Sequence, residues 1–407
     1  MGWSITKNGK TINQTVMRIA LKLAYRNLIG AGLRTWLNVI VLSFSFVMII
    51  WAKGLMVGWD NQAKTDMEQW EIGKGQFWHE QYDPYDAFSI NNSHAPIPEA
   101  FQSEIENKTM VPVLIAQGTL YPQGRMQSVR IKGIPPDQTL LKIPAHKLDT
   151  LSDALPAIVG ASMAHSSHLN KGDRVILRWR DNKGTFDATE IEIVDIFPTN
   201  VPTVDVAQVW INLETMQEKL LLPNEATLFS LANAEENRSS VEAFHYKNRK
   251  ELTAEIDAMV KTKSKGQSMF YVILMALAML AIFDTQVLSI FRRQKEIGTY
   301  VALGYTRQQV VGLFTVEGAM HAILAAVVAA VYGVPFFIWQ AHAGMKLPMD
   351  TSEFGMAIAP VMYPIYSISL IISTTLIVLL TTTLVSYWPS RKIARMSPTD
   401  ALRGKIQ

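Results

Sequence analysis

The chain has 407 residues, 49% apolar and 18% charged, and its 38 Lys+Arg against 35 Asp+Glu leave a formal charge of +3. No dense basic stripe with interleaved aromatics appears, so the balance does not suit a nucleic-acid binder. With no cysteine at all, disulfides, thiolate metal sites, iron–sulfur clusters, thiol nucleophiles and cysteine-linked lipid are excluded.

The N-terminal 34 residues read as a cytoplasmic segment. Within them Thr15–Leu33 is expected to be a helix with Arg18, Lys22 and Arg26 at i, i+4 and i+8, and Ile19, Leu23 and Leu28 elsewhere around it. Such a basic amphipathic element suits the inner leaflet. Thr35–Ala52 carries no charge and, with Lys53 snorkelling, gives a first span over 35–57. No short apolar core with a small-residue cleavage site is present, so this reads as an uncleaved span. Along it, Phe44, Met48, Trp51 and Leu55 form a stripe that either packs or lines a lipid-accepting cavity.

Residues 58–267 are polar and long enough for a core of their own. Strands are expected at Val111–Tyr121 and Met126–Gly133, flanking the turn Tyr121-Pro-Gln-Gly124. Arg174–Arg180 alternates Val175, Leu177 and Trp179 on one face, turns at Asp181–Gly184 and returns through Ala188–Phe197. Helices are expected at Glu214–Leu221 and near Arg238–Val260, making the segment α+β. Its histidines show no zinc-ligand spacing, and no metal site is expected.

A second span covers 268–291 and contains Asp284, about 10 Å inside the boundary at 1.5 Å per residue. The loop 292–309 reads as a short charged helix ended by Gly304, with a new start at Thr306 and Gln309 three residues on. A third span, 310–339, carries Glu317 and His321 at i, i+4. An outer loop at 340–361, a fourth span at 362–388 and a tail at 389–407 complete the chain. A charge inside a span is costly and is normally paired or functional. For Glu317 and His321 a proton relay or metal pair is one reading, and interhelical hydrogen bonding, with Asp284 near Thr285, Ser289 or a partner subunit, is the plainer one.

The short flanks set the orientation. Fifteen Lys+Arg lie in the N-terminal flank, the 292–309 loop and the tail, against Lys346 alone in the loop between spans three and four. Both termini are therefore expected inside, with the 58–267 segment outside. Residues 57–267 hold 21 Lys+Arg and 29 Asp+Glu, so the basic excess lies on the cytoplasmic side.

The run Arg293-x-x-Glu296-Ile297-Gly298, then Ala302-Leu303-Gly304, Thr306-Arg307 and Glu317 resembles the FtsX-like permease family of ABC transporters, of the lipoprotein-releasing and macrolide-exporter type (type VII). Leu23-Ala24-Tyr25-Arg26-Asn27-Leu28 is similar to that family's start, and Pro389-Ser390-Arg391 through Leu402-Arg403 to its end. Val129–Ile134, Lys171–Val175 and Val194–Phe197 match in order between them. The resemblance implies four transmembrane helices with a two-subdomain α+β extracytoplasmic domain inserted between the first and second. It implies a bacterial inner-membrane permease, paired with an identical or paralogous copy and driven by two ABC ATPase subunits. It places ATPase coupling on Arg293, Glu296, Ile297, Gly298, Ala302, Leu303, Gly304 and Thr306, with Gly298 admitting close approach of the ATPase. A periplasmic carrier or adaptor belongs to the same picture. Two departures stand out: Asp284 where the family usually has Asn, and a hairpin of only Asp181–Thr189 where lipoprotein-releasing permeases carry a long hook.

No Gly-x-x-x-x-Gly-Lys-Ser/Thr loop exists, so the chain itself needs no cofactor, and ATP with Mg falls to the partner ATPase. The function expected is a permease moving or extracting a lipidic or amphiphilic substrate at the outer leaflet. The alternative is a transmitter that couples ATP hydrolysis to an extracytoplasmic partner such as a cell-wall hydrolase. No Ser/His/Asp or His-Glu-x-x-His arrangement supports a membrane enzyme.

Overall fold

A computed structural model describes residues 32–233, 238–346 and 361–391. Nearly all of the amphipathic segment expected at Thr15–Leu33, and the tail beyond Arg391, lie outside the described residues. The chain divides into two compact units, one on Met1–Gly58, Lys261–Met345 and Tyr363–Gln407, the other on Trp59–Val260 and Lys346–Met362.

Helix α1 (Gly32–Met67) is followed by a wide five-residue turn, Glu68–Ile72, and then by β1 (Gly75–His79). Next come α2 (Glu99–Glu106), β2 (Met110–Tyr121), β3 (Gln127–Ile134), β4 (Leu155–Gly160), α3 (Ala161–Ser167), β5 (Arg174–Arg180) and β6 (Phe186–Phe197). The unit is completed by β7 (Gln208–Asn212), α4 (Leu213–Leu220), β8 (Leu228–Leu231) and β9 (Phe244–Asn248). The strands run in the order β9-β1-β8-β2-β3-β7-β4-β6-β5, and β5 also pairs with β2. Strand β2 makes this possible because its halves have different partners. Met110–Val113 pair with β8, while Gly118–Tyr121 pair with Ile176–Trp179 of β5. The six strands β2, β3, β7, β4, β6 and β5 thus close a barrel.

Period-two alternation sends Val129 and Ile131, Val175, Leu177 and Trp179, and Ile191 and Ile193 inward. Met163 and Ala164 of α3, and Met216 and Leu220 of α4, join the same core. A Cβ on Gly118 would lie 2.6 Å from Ile131 Cδ1, so the bare backbone there lets Ile131 fill the interior. A void among Ile131, Leu177, Trp179 and Met216 measures about 10 Å³, too small for a ligand. A second core lies on Ile134, Ile158 and Trp210, with Val201, Val204, Leu141 and Leu148. A third is aromatic, with Phe77, Phe101, Phe229 and Phe244 in ring contact.

The helix expected near Arg238–Val260 forms only in its second part, as the turn Arg249–Leu252 and the start of a long helix at Ala254. Phe244–Asn248 is a strand antiparallel to β1, followed by a single turn, Arg249–Leu252. The reason is local. Phe244 and Tyr246 alternate onto the aromatic core, and Asn248 forms a reciprocal capping box with Glu251 that starts a helix only there.

The other unit adds α5 (Ala254–Arg292), α6 (Gln294–Ala302), α7 (Arg307–Ala343) and α8 (Ile368–Ser390). Helices α1, α5, α7 and α8 are long and apolar enough to cross a membrane. Between helices surrounded by lipid, association rests on close packing of small residues. Helix α8 follows this rule, burying Thr374, Val378, Thr382, Ser386 and Ser390 at every fourth position. The hydroxyls of Thr382, Ser386 and Ser390 donate to the carbonyls one turn back at 2.7–2.8 Å, so they need no partner across the interface. Opposite them, a Cβ on Gly318 of α7 would fall 2.1 Å from Ser386 Oγ.

Candidate coupling site

Chain geometry makes α6 a separate element. Arg293 leaves helical angles at φ −104°, ψ 21°, breaking α5 from α6, and Gly304 adopts φ +93° beyond the far end. The next helix then starts on a full capping box. Thr306 Oγ1 accepts from the Gln309 N–H at 3.3 Å, and the Gln309 side chain accepts from the Thr306 N–H at 2.9 Å. One face of α6 is held by its own chain. Ile297 packs with Ile290, Val310, Val311 and Phe314, flanked by Tyr300, Val301 and Tyr305. Tyr300 and Tyr305 meet edge-on at 5.9 Å.

Arg293 locks this cluster. Its Nε donates to Glu296 Oε2 at 2.7 Å, and its Nη1 donates to both carboxylate oxygens of Glu317 at 2.9 and 3.0 Å. The guanidinium stands over the Phe314 ring, 4.9 Å from its centre. Glu317 is 9% exposed, so the charge pair is well shielded and stronger than a surface pair. Glu296 sits in the first turn of α6, where the helix dipole favours a negative charge.

The residues marked in the sequence fall into distinct places. Ile297 and Gly298 are buried within the chain. Lys295, Glu296, Thr299, Ala302 and Leu303 are exposed on the opposite face, Leu303 at 72%. Glu317 and Arg293, 24 residues apart, are brought together, whereas Glu317 and His321 do not meet through their side chains. His321 Nδ1 instead donates to the Glu317 carbonyl at 3.0 Å. Among the described residues no group of His, Asp and Glu could hold a metal ion. Asp284 is at an exposed position of α5, and Asn38 donates to the neighbouring Thr285 hydroxyl. The α1 stripe divides: Phe44 is exposed, Met48 and Trp51 are half-buried, and Leu55 is buried. Phe314 and the tyrosine pair were not marked in the sequence, although Phe314 stands three residues before Glu317 on the same helix face.

The family described as FtsX-like permease C-terminal matches residues 268–398. No curated protein matches the chain. Among solved structures, the crystal structure of the periplasmic region of MacB from Actinobacillus actinomycetemcomitans is similar at 12% identity and a TM-score of 0.29. It covers 46% of this chain and 93% of its own, a likeness too weak to rest a fold assignment on. Over residues 268–398, from α5 through α6 and α7 to α8 and beyond, about a third of its length, this chain is similar to the FtsX-like permease family.

Proposed function

We propose that this chain is the membrane permease subunit of an ATP-driven ABC transporter working by mechanotransmission. A separate ATPase, holding ATP and Mg, engages α6 on the cytoplasmic side. The resulting movement reaches the outer unit, which helps extract or move a lipidic or amphiphilic substrate at the outer leaflet of the inner membrane. The observation that carries this reading is the family match over residues 268–398, which takes in α6 and its Arg293–Glu317 lock. Both termini are cytoplasmic in this reading, and the unit on 59–260 is an extracytoplasmic domain of two subdomains inserted between the first and second spans. Two permease copies, identical or paralogous, serve two ATPases, with Phe44, Met48 and Trp51 offered to the substrate path.

The test is mass spectrometry of what co-purifies with the permease–ATPase complex, with and without ATP. An amphiphile bound without ATP and lost with it is the expected result. No bound amphiphile, with ATPase turnover answering instead to an extracytoplasmic protein, would replace transport by signal transmission.

A further inference from the structure

The turn that directly follows α1 is gripped around one buried cation. Lys132 of β3 is 4% exposed. Its Nζ donates to the Thr203 carbonyl at 2.6 Å, lies 3.5 Å from Glu71 Oε1, and stands 4.9 Å from the centre of the Trp210 ring. Burial holds its pKa below the ordinary lysine value, with Glu71 opposing the shift. Thr203 closes the triangle, since its hydroxyl donates to the Glu71 carboxylate. Glu71 belongs to the Glu68–Ile72 turn that directly continues α1.

The same turn is held on its other side. The Glu71 carbonyl accepts from Gln76 Nε2 at 3.1 Å and from Ser230 Oγ at 2.9 Å, on β1 and β8. Trp70 stacks on Phe197 at 5.7 Å, and the Gln69 carbonyl accepts from the Lys142 N–H at 2.8 Å. A buried ion pair adds little stability over an apolar replacement of equal size. What it adds is register, because an ammonium reaches a carbonyl, a carboxylate and a ring face together in few geometries. A methionine at 132 would still pack on Trp210 and would fix no register.

We propose that the Lys132–Glu71–Thr203 clasp is a positioning device that sets the register of the Glu68–Ile72 turn on the barrel. Movement of α1 then turns the outer unit as a body and is not lost to slippage at the turn. This rests on the transporter reading above.

The full chain, with its ATPase, is the sample. Spin labels at Asn61→Cys and Lys183→Cys, both exposed and in a chain with no native cysteine, report how the end of α1 is held relative to the barrel. The clasp predicts one narrow distance distribution in the otherwise unchanged chain. It predicts a broadened one in Lys132→Met, with substrate moved per ATP falling about tenfold. Lys132→Arg restores both in part, which a purely structural loss would not. Should Lys132→Met fail to fold, Glu71→Gln and Thr203→Val loosen the same clasp and carry the same expectation. Narrow distributions and unchanged transport per ATP in Lys132→Met, or in those two variants, overturn the proposal. A complex with the native clasp that hydrolyses ATP and moves no substrate overturns the transporter reading, and the distance distributions still decide the clasp.

Discussion

Arg293 does three things with one side chain: it steadies the first turn of α6 through Glu296, caps the Phe314 ring and neutralises Glu317. Removing it leaves a shielded carboxylate without its cation. Arg293→Gln is expected to cost about 3 kcal/mol, and Arg293→Met/Glu317→Met much less, because a buried pair is cheaper to replace whole than to halve. Thermal unfolding of the detergent-solubilised chain checks this in a double-mutant cycle, and strictly additive losses would refute the pairing. Lys132 gives a second test at this scale. Burial sets its folded pKa below 10.5, so between the two values the unfolded chain holds a proton that the folded chain has shed. Stability from this group is therefore complete above 10.5 and is lost as pH falls through the depressed folded value. In urea unfolding across the alkaline range, Lys132→Met should lose this rise with pH. An unchanged slope would show that the lysine is not held in that state.

Among the elements, α6 presents Lys295, Thr299, Ala302 and Leu303 outward and keeps Ile297 and Gly298 inside. Leu303→Asp should therefore weaken ATPase co-purification while leaving the chain folded, and Gly298→Trp should instead lower the melting temperature. The reverse pattern would place the docking face on the wrong side of the helix. Gly318→Leu should cost about 1–3 kcal/mol by wedging α7 from α8 against Ser386. Much at this scale was legible from local signals. Strand β5 was given to the residue by its strict alternation, and the Thr306–Gln309 box was readable as a pattern of two residues. The strand Phe244–Asn248 was missed because five residues of alternation fall among charges, yet Asn248-x-x-Glu251 marked the true helix start. Barrel closure through β2 and β5, and the Arg293–Glu317 pair, depend on contacts far apart in sequence, where no periodicity speaks.

At the scale of the whole molecule, the barrel interior is filled by apolar side chains, and the basic excess of the short flanks predicts which side of the membrane each segment faces. The orientation is checked with single cysteines at Lys183 and Lys295. An impermeant thiol reagent on intact cells should reach the first and not the second, and labelling at Lys295 would invert the topology. The central claim, that α6 is where an ATPase drives this permease, is tested most directly by cross-linking in native membranes from Leu303→Cys and Thr299→Cys. The predicted result is one adduct with an ATP-binding chain, its yield changing between nucleotide-free and ATP-bound conditions. Adducts with lipid alone, or with the ATPase only from the buried position Ile297→Cys, would contradict it.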